Sequence, residues 1–476
     1  MNMFSICCDV EISSNSNPAW TVRFGSEYRA FWIGIWYNNL SVRSAFPADG
    51  MIIIPGGRFM KVLVVGGGGR EHAICWKLKQ SPRVTELYCA PGNGGIAEIA
   101  HCEPIKATDV PAMVEYAKKE QFDLVFVAPD DPLALGMVDA MEEAGIRAFG
   151  PHANAAIVEA SKAFSKELMK KYNIPTAKYQ TFTSQDEALA YLETQEMPIV
   201  IKADGLALGK GVIIAQTLDE AKKAVISMMS EGVFGKSGST VVIEECMVGP
   251  EMTLLAFADG KTVIPMITSR DHKRAYDHDE GLNTGGMGAV TPGADLTAEE
   301  EKKIYDTIVE PTIKALAAEG RPFKGVIYFG LMLTKEGAKV VEYNARFGDP
   351  ECQAILPRME NDLMELVDAC IDGTLDQVDL KWKPGCSCVV VMASGGYPEK
   401  YDKGYEITGI ADCGHLVFQA GTALKDGKLV TSGGRVLCVY ADGATMDEAI
   451  DSAYEGVKKI SFEKAHYRTD IGRTLG

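Results

Sequence analysis

The sequence predicts an α/β protein that opens on a doubly wound parallel sheet, continues through mixed helices and strands, and closes in a small strand-rich region. Three observations carry this. Between residues 60 and 150, apolar strand-like runs alternate with helical ones. Between about 160 and 370, helices flank strands, and a glycine-rich loop joins two of the strands. Beyond Lys383, short strands are separated by glycine turns before a last helix.

Taken in order, Lys61–Val65 reads as a buried strand, Arg70–Gln80 as a helix, Val84–Cys89 as a strand and Val110–Glu120 as a helix. Leu124–Ala128 is another strand, followed by one helix around Leu133–Ala144 and the short strand Arg147–Phe149. Lys162–Tyr172 reads as a helix stopped by Asn173-Ile174-Pro175. Pro198–Ala203 and Gly211–Ala215 read as strands around the glycine loop, then Thr217–Glu231 as a helix and Thr240–Glu245 as a strand. Val326–Leu333 and Ala338–Tyr343 are strands, and Met446–Lys459 is the last helix. Residues 1–59 show no clear period although they hold three of the five tryptophans. They are expected to be a poorly ordered extension ahead of a natural start at Met60, without the basic, apolar and small-residue pattern of a secretory signal.

Composition narrows the function classes. With 46% hydrophobic and 24% charged residues the chain is ordinary for a soluble protein. A net charge of −17 argues against a general nucleic-acid binder. It leaves room for phosphorylated small molecules held by local Lys and Arg. Twelve cysteines follow no framework spacing, which predicts free thiols in a reducing cytoplasm. No apolar run reaches the roughly 18 residues of a membrane span.

The chemistry concentrates in a few stretches. In Val341-Glu342-Tyr343-Asn344-Ala345-Arg346, alternation puts Glu342, Asn344 and Arg346 on one strand face. The first two offer hard oxygen ligands suited to Mg²⁺, and the arginine can neutralise a transferring phosphoryl group. Gly66–Gly69 leaves a strand and opens a helix with Arg70-Glu71-His72, a place for a phosphate or phosphosugar, or merely a tight turn. A dinucleotide reading fits poorly, because Glu71 fills the third glycine position and no acid ends the second strand. Pro91–Gly95 and Pro129–Leu133 face the same crevice. Lys202 sits between apolar neighbours in a strand, where a phosphate contact explains it better than solvent. Gly235-Lys236-Ser237 lacks the leading glycine of a Walker A loop, since Ser230 stands there. Glu244, Glu245, Cys246 and Met247 leave a strand as acids followed by an apolar pair, with Glu251 close behind. Asp271-His272-Lys273-Arg274 precedes Asn283-Thr284-Gly285-Gly286, a cationic loop with a donor-rich turn suited to an anionic substrate.

These stretches together resemble the phosphoribosylamine–glycine ligases (glycinamide ribonucleotide synthetases) of the ATP-grasp superfamily. The resemblance covers 60–476 and rests on GGGGREHA (66–73), APGNGG (90–95), SKAF-K (161–166) and IKADGLALGKGV (201–212). It continues through DHKRAYDHDEGLNTGGMGA (271–289), VEYNARFGDPE (341–351) and SGGRVLCV (432–439), in order and at fitting spacing. It implies a Rossmann-like first domain over 60–160, a two-lobed ATP-grasp core over 161–382 with its small lobe near 175–247, and a C-terminal domain over 383–476. It also implies ATP-driven joining of glycine to 5-phosphoribosylamine through a glycyl phosphate, in purine biosynthesis.

Residue by residue, the resemblance implies Mg²⁺ or Mn²⁺ on Glu342 and Asn344. Lys162, Lys202 and the loop Gly209-Lys210-Gly211 would meet the ATP phosphates. Glu244, Glu245 and Met247 would frame the adenine, and Glu251 the ribose. Arg346 would stabilise the phosphoryl group in flight. Gly68, Gly69, Arg70, Glu71 and His72 with Asn93, Gly94 and Gly95 would cradle the sugar phosphate. Asp271, Lys273, Asn283, Thr284, Gly285 and Gly286 would shape the glycine and transfer pocket. A monomer or small homo-oligomer, transient contact with the upstream amidotransferase, and no nucleic acid or membrane partner belong to the same picture.

The sequence departs from the family pattern at Ala128 and Asp130, where Gly and Glu are usual, and at Arg270, Leu282 and Cys246. The strand Tyr328–Met332 offers no third acidic metal ligand. Three other readings compete: a nucleotide-dependent oxidoreductase, disfavoured by the missing ribose acid; a non-catalytic nucleotide-binding regulator; and a bicarbonate-using relative within the superfamily.

Overall fold

The computed structural model describes residues 11–14, 19–23, 51–55, 59–205, 211–229 and 239–473. It contains two units, residues 1–59 and residues 60–476. In the first, Glu11–Ser14, Ala19–Arg23 and Met51–Pro55 pair antiparallel in that order. Short strands thus occur where the hydropathy pattern shows no period.

In the second unit, Met60–Gly66 is the middle strand of a five-stranded parallel sheet. Val84–Pro91 and His101–Cys102 lie on one side of it, Leu124–Val127 and Ala148–Phe149 on the other. Val62 and Val64 enter one apolar cluster and Leu63 and Val65 another. A strand covered on both faces must be apolar throughout, which is why this one reads as an unbroken hydrophobic run. The single helix expected around 133–144 is two, Asp130–Ala134 and Met137–Glu143. The break is Gly136, whose φ of +81° belongs to the left-handed region that no helix interior uses.

A second layer is antiparallel. Val212–Ala215, Ile199–Ala203, Val241–Glu245 and Tyr179–Phe182 form a sheet in that order, backed by the helices Gln185–Leu192 and Leu218–Met229. Ile199, Ile201, Val241 and Ile243 face those helices. By alternation Lys202 and Glu244 face the opposite side, and the register, Val200 opposite Glu244 and Lys202 opposite Val242, makes them diagonal neighbours.

The third sheet runs Val263–Pro265, Glu251–Asp259, Lys324–Thr334, Gly337–Asn344. Its apolar residues join the same two clusters as the parallel sheet, so the two layers share a core. Glu342 lies opposite Gly330, and Asn344 opposite Tyr328.

The last sheet gathers strands from distant parts of the chain. Its order is Arg270–Asp271, Gly288–Thr291, Cys386–Ser394, Arg435–Gly443, Leu416–Gln419, and Ala465–His466 adds to Cys386–Ser394. The two strands flanking the cationic loop thus belong to the sheet of the C-terminal region. Ten cysteines among the described residues are free thiols, and no described helix is long and apolar enough to cross a membrane.

Candidate active site

Helix Lys162–Lys171 begins at Ser161, whose hydroxyl caps Phe164 N at 3.1 Å and donates to the Asp204 carboxylate at 3.1 Å. Asp204 also accepts from Ala163 N at 3.0 Å, fixing the helix start to the entry of the glycine loop. Lys162 and Lys166 are one turn apart, on the same side of the helix. The Lys162 ammonium donates to Gly205 O at 2.7 Å, and burial lowers its pKa. The Lys166 ammonium lies 3.0 Å from Glu244 Oε2, and so does that of Lys202, at the same 3.0 Å. Lys166 also donates to Thr176 Oγ1 at 2.8 Å, and Lys202 to Val341 O at 3.0 Å. Burial pushes Lys166 down to about 8. Glu244 Oε1 is buried with no protein partner, an acceptor left open beside two cations. Glu245 accepts from Lys178 N at 3.0 Å, and Met247 follows half-buried. Gly209 and Lys210 lie outside the described residues; Gly211 is described, its carbonyl accepting from Ala203 N at 2.8 Å.

Along the third sheet, Glu342, Asn344 and Arg346 project toward this group. Burial alone would raise the Glu342 carboxyl, but Lys273, Lys202, Lys162 and Arg346 hold it below the usual range. Lys273 lies 3.7 Å from Glu342 and 3.2 Å from Glu251. Glu251, expected at a ribose, is thus engaged with the loop lysine. Lys273 is pushed up despite burial by Asp271, Glu251, Tyr328 and Glu342. Asp271 is pushed up to about 7 by burial and by the acids Glu351, Glu251 and Glu342, against the pull of Lys273. Arg346 is anchored by Glu159 at 2.8 Å, whose other oxygen accepts from Ala345 N at 2.7 Å. A longer contact of 3.4 Å runs from Arg346 to Asn344 Oδ1, and Arg346 Nε is buried without a protein partner.

These donors fit a hard divalent cation. Glu342 supplies a carboxylate, Asn344 an amide oxygen, and Gly330 across from Glu342 adds no side chain. Among the described residues no cluster of three or more His, Cys, Asp or Glu forms a protein cage. Two protein oxygens with phosphate and water completing the shell is the arrangement Mg²⁺ favours.

At the glycine turn the side chains serve one another. The Glu71 carboxylate accepts from Gly68 N at 2.5 Å and pairs with Arg70 Nε at 2.6 Å, while Arg70 donates to Phe347 O at 3.1 Å. His72 Nδ1 accepts from Gln419 N at 2.8 Å, and burial holds the ring down to about 4. The Asn93 amide donates to Gly67 O at 3.0 Å and Gln419 O at 2.8 Å, and its oxygen caps Gly95 N at 2.9 Å. Gly94 N donates to Thr422 O at 3.3 Å. Of the residues expected to cradle a ligand, Glu71 ties Gly68 to Arg70, while His72 and Asn93 join the two glycine turns to Gln419. Asn283 ends a hairpin opposite Arg274, and Thr284 closes on Lys273 O through its backbone N–H at 2.7 Å and its hydroxyl at 2.8 Å. Gly286 has φ +109°, and a Cβ there would stand 2.5 Å from Pro350 Cδ, so the turn rests directly on the Asp349-Pro350 corner.

Three models of one family, Phosphoribosylglycinamide synthetase, match consecutive stretches: the N domain at 60–159, the ATP-grasp (A) domain at 160–352 and the C domain at 387–474. The chain belongs to this family. The phosphoribosylamine–glycine ligase of Caldanaerobacter subterraneus is 48% identical over 413 residues, 87% of this chain and 99% of that one. That of Vibrio vulnificus is 49% identical over 419 residues, 87% of this chain and 98% of that one. The crystal structure of the Thermotoga maritima ligase matches with a TM-score of 0.76 at 33% identity, over 87% of this chain and all of that one (100%). A biotin carboxylase from Campylobacter jejuni shares the fold at a TM-score of 0.67 and 14% identity, over 86% and 93% of the two chains.

Several residues that contact the candidate site carry little signal in the sequence. Lys166 carries the most, because it stands one turn from Lys162 in the quoted SKAF-K stretch. Glu159 and Asp204 gave no signal beyond being acids close to Lys162 and Lys202. Gln419, Thr422 and Arg435 lie in a region whose residues carry no chemistry of their own in sequence, and only the fold brings them to the glycine turns.

Proposed function

We propose that this chain joins glycine to 5-phosphoribosylamine at the expense of ATP, giving glycinamide ribonucleotide, ADP and phosphate in purine biosynthesis. The observation that carries the reading is the convergence on Glu342 of Lys162, Lys202, Lys273 and Arg346, with Asn344 beside Arg346 and Thr284 bonded to Lys273. Lys162 and Lys202 bind the ATP phosphates, and the open Glu244 oxygen accepts from the amino group of adenine, with Met247 against the ring. Glu342 and Asn344 would hold a divalent cation, Mg²⁺ or Mn²⁺, which would supply charge neutralisation for the triphosphate. A glycine carboxylate oxygen attacks the γ-phosphorus, the bond to the β-phosphate oxygen breaks, and ADP leaves. Arg346, anchored by Glu159, faces the charge that spreads over the phosphoryl oxygens. Asp271 and Lys273 orient glycine, and the turn at 283–286 walls the pocket in which its acyl group is transferred. The amine then attacks the glycyl carbonyl carbon, a C–N bond forms, and departing phosphate carries off the amine proton. Positioning and charge neutralisation suffice, so no protein nucleophile is required.

The sugar phosphate lies against the two glycine turns, Gly68–His72 and Asn93–Gly95. The chain works in the cytoplasm as a monomer or small homo-oligomer, in transient contact with the amidotransferase that makes the unstable amine. Residues 60–160, 161–382 and 383–476 act as its sugar-phosphate, ATP-grasp and closing domains. The reading is tested by trapping: ATP, glycine and hydroxylamine, without the sugar amine, should yield glycyl hydroxamate in a divalent-metal-dependent way. Bicarbonate-dependent ADP release without hydroxamate would instead favour a carboxylating relative.

A further inference from the structure

Arg435 opens the strand Arg435–Gly443 after Gly433-Gly434, yet its guanidinium works outside its own sheet. Nη1 donates to Gly285 O at 2.6 Å and to Asp349 O at 2.8 Å, with a longer contact of 3.3 Å to Gly286 O. Nη2 lies 3.3 Å from Asp349 Oδ2. Nη1 thus ties the turn at 284–286 to the corner at Asp349-Pro350, and Nη2 adds the Asp349 carboxylate. Asp349 continues the chain of contacts. Its Oδ1 accepts from Gln353 Nε2 at 2.7 Å, and its Oδ2 would lie 3.5 Å from a Cβ at Gly68, beside the first glycine turn. Gly285 lies flat against the guanidinium, since a Cβ there would be 3.0 Å from Arg435 Cζ. Gly285 N is held from the other side by the Tyr397 hydroxyl, at 3.1 Å. Three parts of the chain thus meet here, and Arg435 touches two of them at once.

We infer that Arg435 is a positioning residue for the second half of the reaction, fixing the pocket in which the sugar amine meets the acyl phosphate. This rests on the ligase reading above. Arg435 touches neither the lysine–Glu244 group nor Glu342 and Asn344, so phosphoryl transfer to glycine does not depend on it. Without Arg435 the turn at 284–286 loses its hold on Asp349, the amine is misplaced, and water consumes the acyl phosphate.

The test compares wild type with Arg435→Lys and Arg435→Gln in three measurements: melting temperature, glycyl hydroxamate formation with hydroxylamine, and the ratio of ADP released to ligated product with phosphoribosylamine. A misplacement of about 1 Å costs on the order of 100-fold in a positioned reaction. The expected result is hydroxamate formation within about 3-fold of wild type, with ligated product down roughly 100-fold and the ADP-to-product ratio well above one. A parallel loss of both half-reactions in a folded variant, or an unchanged ratio, overturns the inference. If both Arg435 variants fail to fold, Tyr397→Phe decides: a raised ratio supports the inference and an unchanged one overturns it. Wild type that forms no ligated product would refute the ligase reading itself, a result distinguishable from either.

Discussion

Lys166 and Lys202 meet at a single atom: each ammonium lies 3.0 Å from Glu244 Oε2, one arriving from a helix and one from a strand. Both lysines and the glutamate are buried. Removing the carboxylate would leave two buried cations facing each other. Glu244→Ala is therefore expected to cost roughly 3 to 5 kcal/mol of stability, as loss of one partner of a buried ion pair does. Denaturant unfolding checks this. Lys166→Met leaves the Lys202–Glu244 pair intact, so it should keep the fold and raise the KM for ATP while that for glycine stays put. An unchanged KM for ATP would remove Lys166 from the nucleotide site.

Two buried histidines make the fold acid-sensitive. His72 and His272 are each held down to about 4 by burial, and each uses a bare ring nitrogen to accept a backbone N–H, from Gln419 and Gly472 respectively. Arg468 and Arg270 add to the depression at His272, while Asp279 and Asp470 oppose it. Below about 6.5 the unfolded chain takes up protons that the folded rings refuse until about 4. The histidine contribution therefore falls as pH drops through that window, on the order of 2 kcal/mol per ring between pH 7 and 5, while Asp271, pushed up to about 7, contributes in the opposite direction. Urea unfolding at the two pH values reads this as a difference: His72→Gln should lose less stability, or gain more, on going from pH 7 to 5 than wild type does. A change identical in the variant contradicts the assignment.

The Glu342 carboxyl is kept ionised by four surrounding cationic groups, ready for a metal ion. Glu342→Gln keeps the shape and removes the charge. Turnover should fall about 100-fold or more, and the Mg²⁺ needed for half-maximal rate should rise. Titrating Mg²⁺ into metal-stripped enzyme measures both, and a wild-type activation curve would count against this site.

The cationic hairpin is held from behind by the chain's last segment. Arg468 is fully buried and reaches Asp470 at 2.7 Å, Asp279 at 2.7 Å and Arg274 O at 3.3 Å, while Asp470 accepts from His278 N at 2.8 Å. Arg468→Met should cost roughly 3 kcal/mol and raise the KM for glycine, because the hairpin carrying Lys273 and Asn283 loses its backing. Unfolding and steady-state kinetics together test it; loss of stability with an unchanged KM would make the contact purely structural.

Local patterns explain what the sequence revealed. The run at 61–65 and the helix at 110–120 are legible because a strand buried on both faces and an amphipathic helix each leave a periodic trace. Glu342, Asn344 and Arg346 are legible because alternation alone places them on one face. Lys202 is legible because an ammonium among apolar neighbours needs a partner, although that partner, Glu244, is fixed only by register. The break at Gly136 is hidden because a lone glycine inside a helical pattern reads as tolerated. The joining of Gly288–Thr291 to Cys386–Ser394 is hidden because pairing across about a hundred residues leaves no local signal. Arg435 and Gln419 are hidden for the same reason, and spacing alone does not show that Glu71, His72 and Asn93 also bond within the protein.

The central claim is that one cleft makes an acyl phosphate of glycine and delivers it to a sugar amine. The most direct measurement is ADP release by the purified protein with ATP, Mg²⁺, glycine and freshly generated phosphoribosylamine, omitting one component at a time. The account predicts full turnover only with all four, and one ligated product for each ADP. Equal turnover when glycine is replaced by bicarbonate, or when the amine is left out, would contradict it.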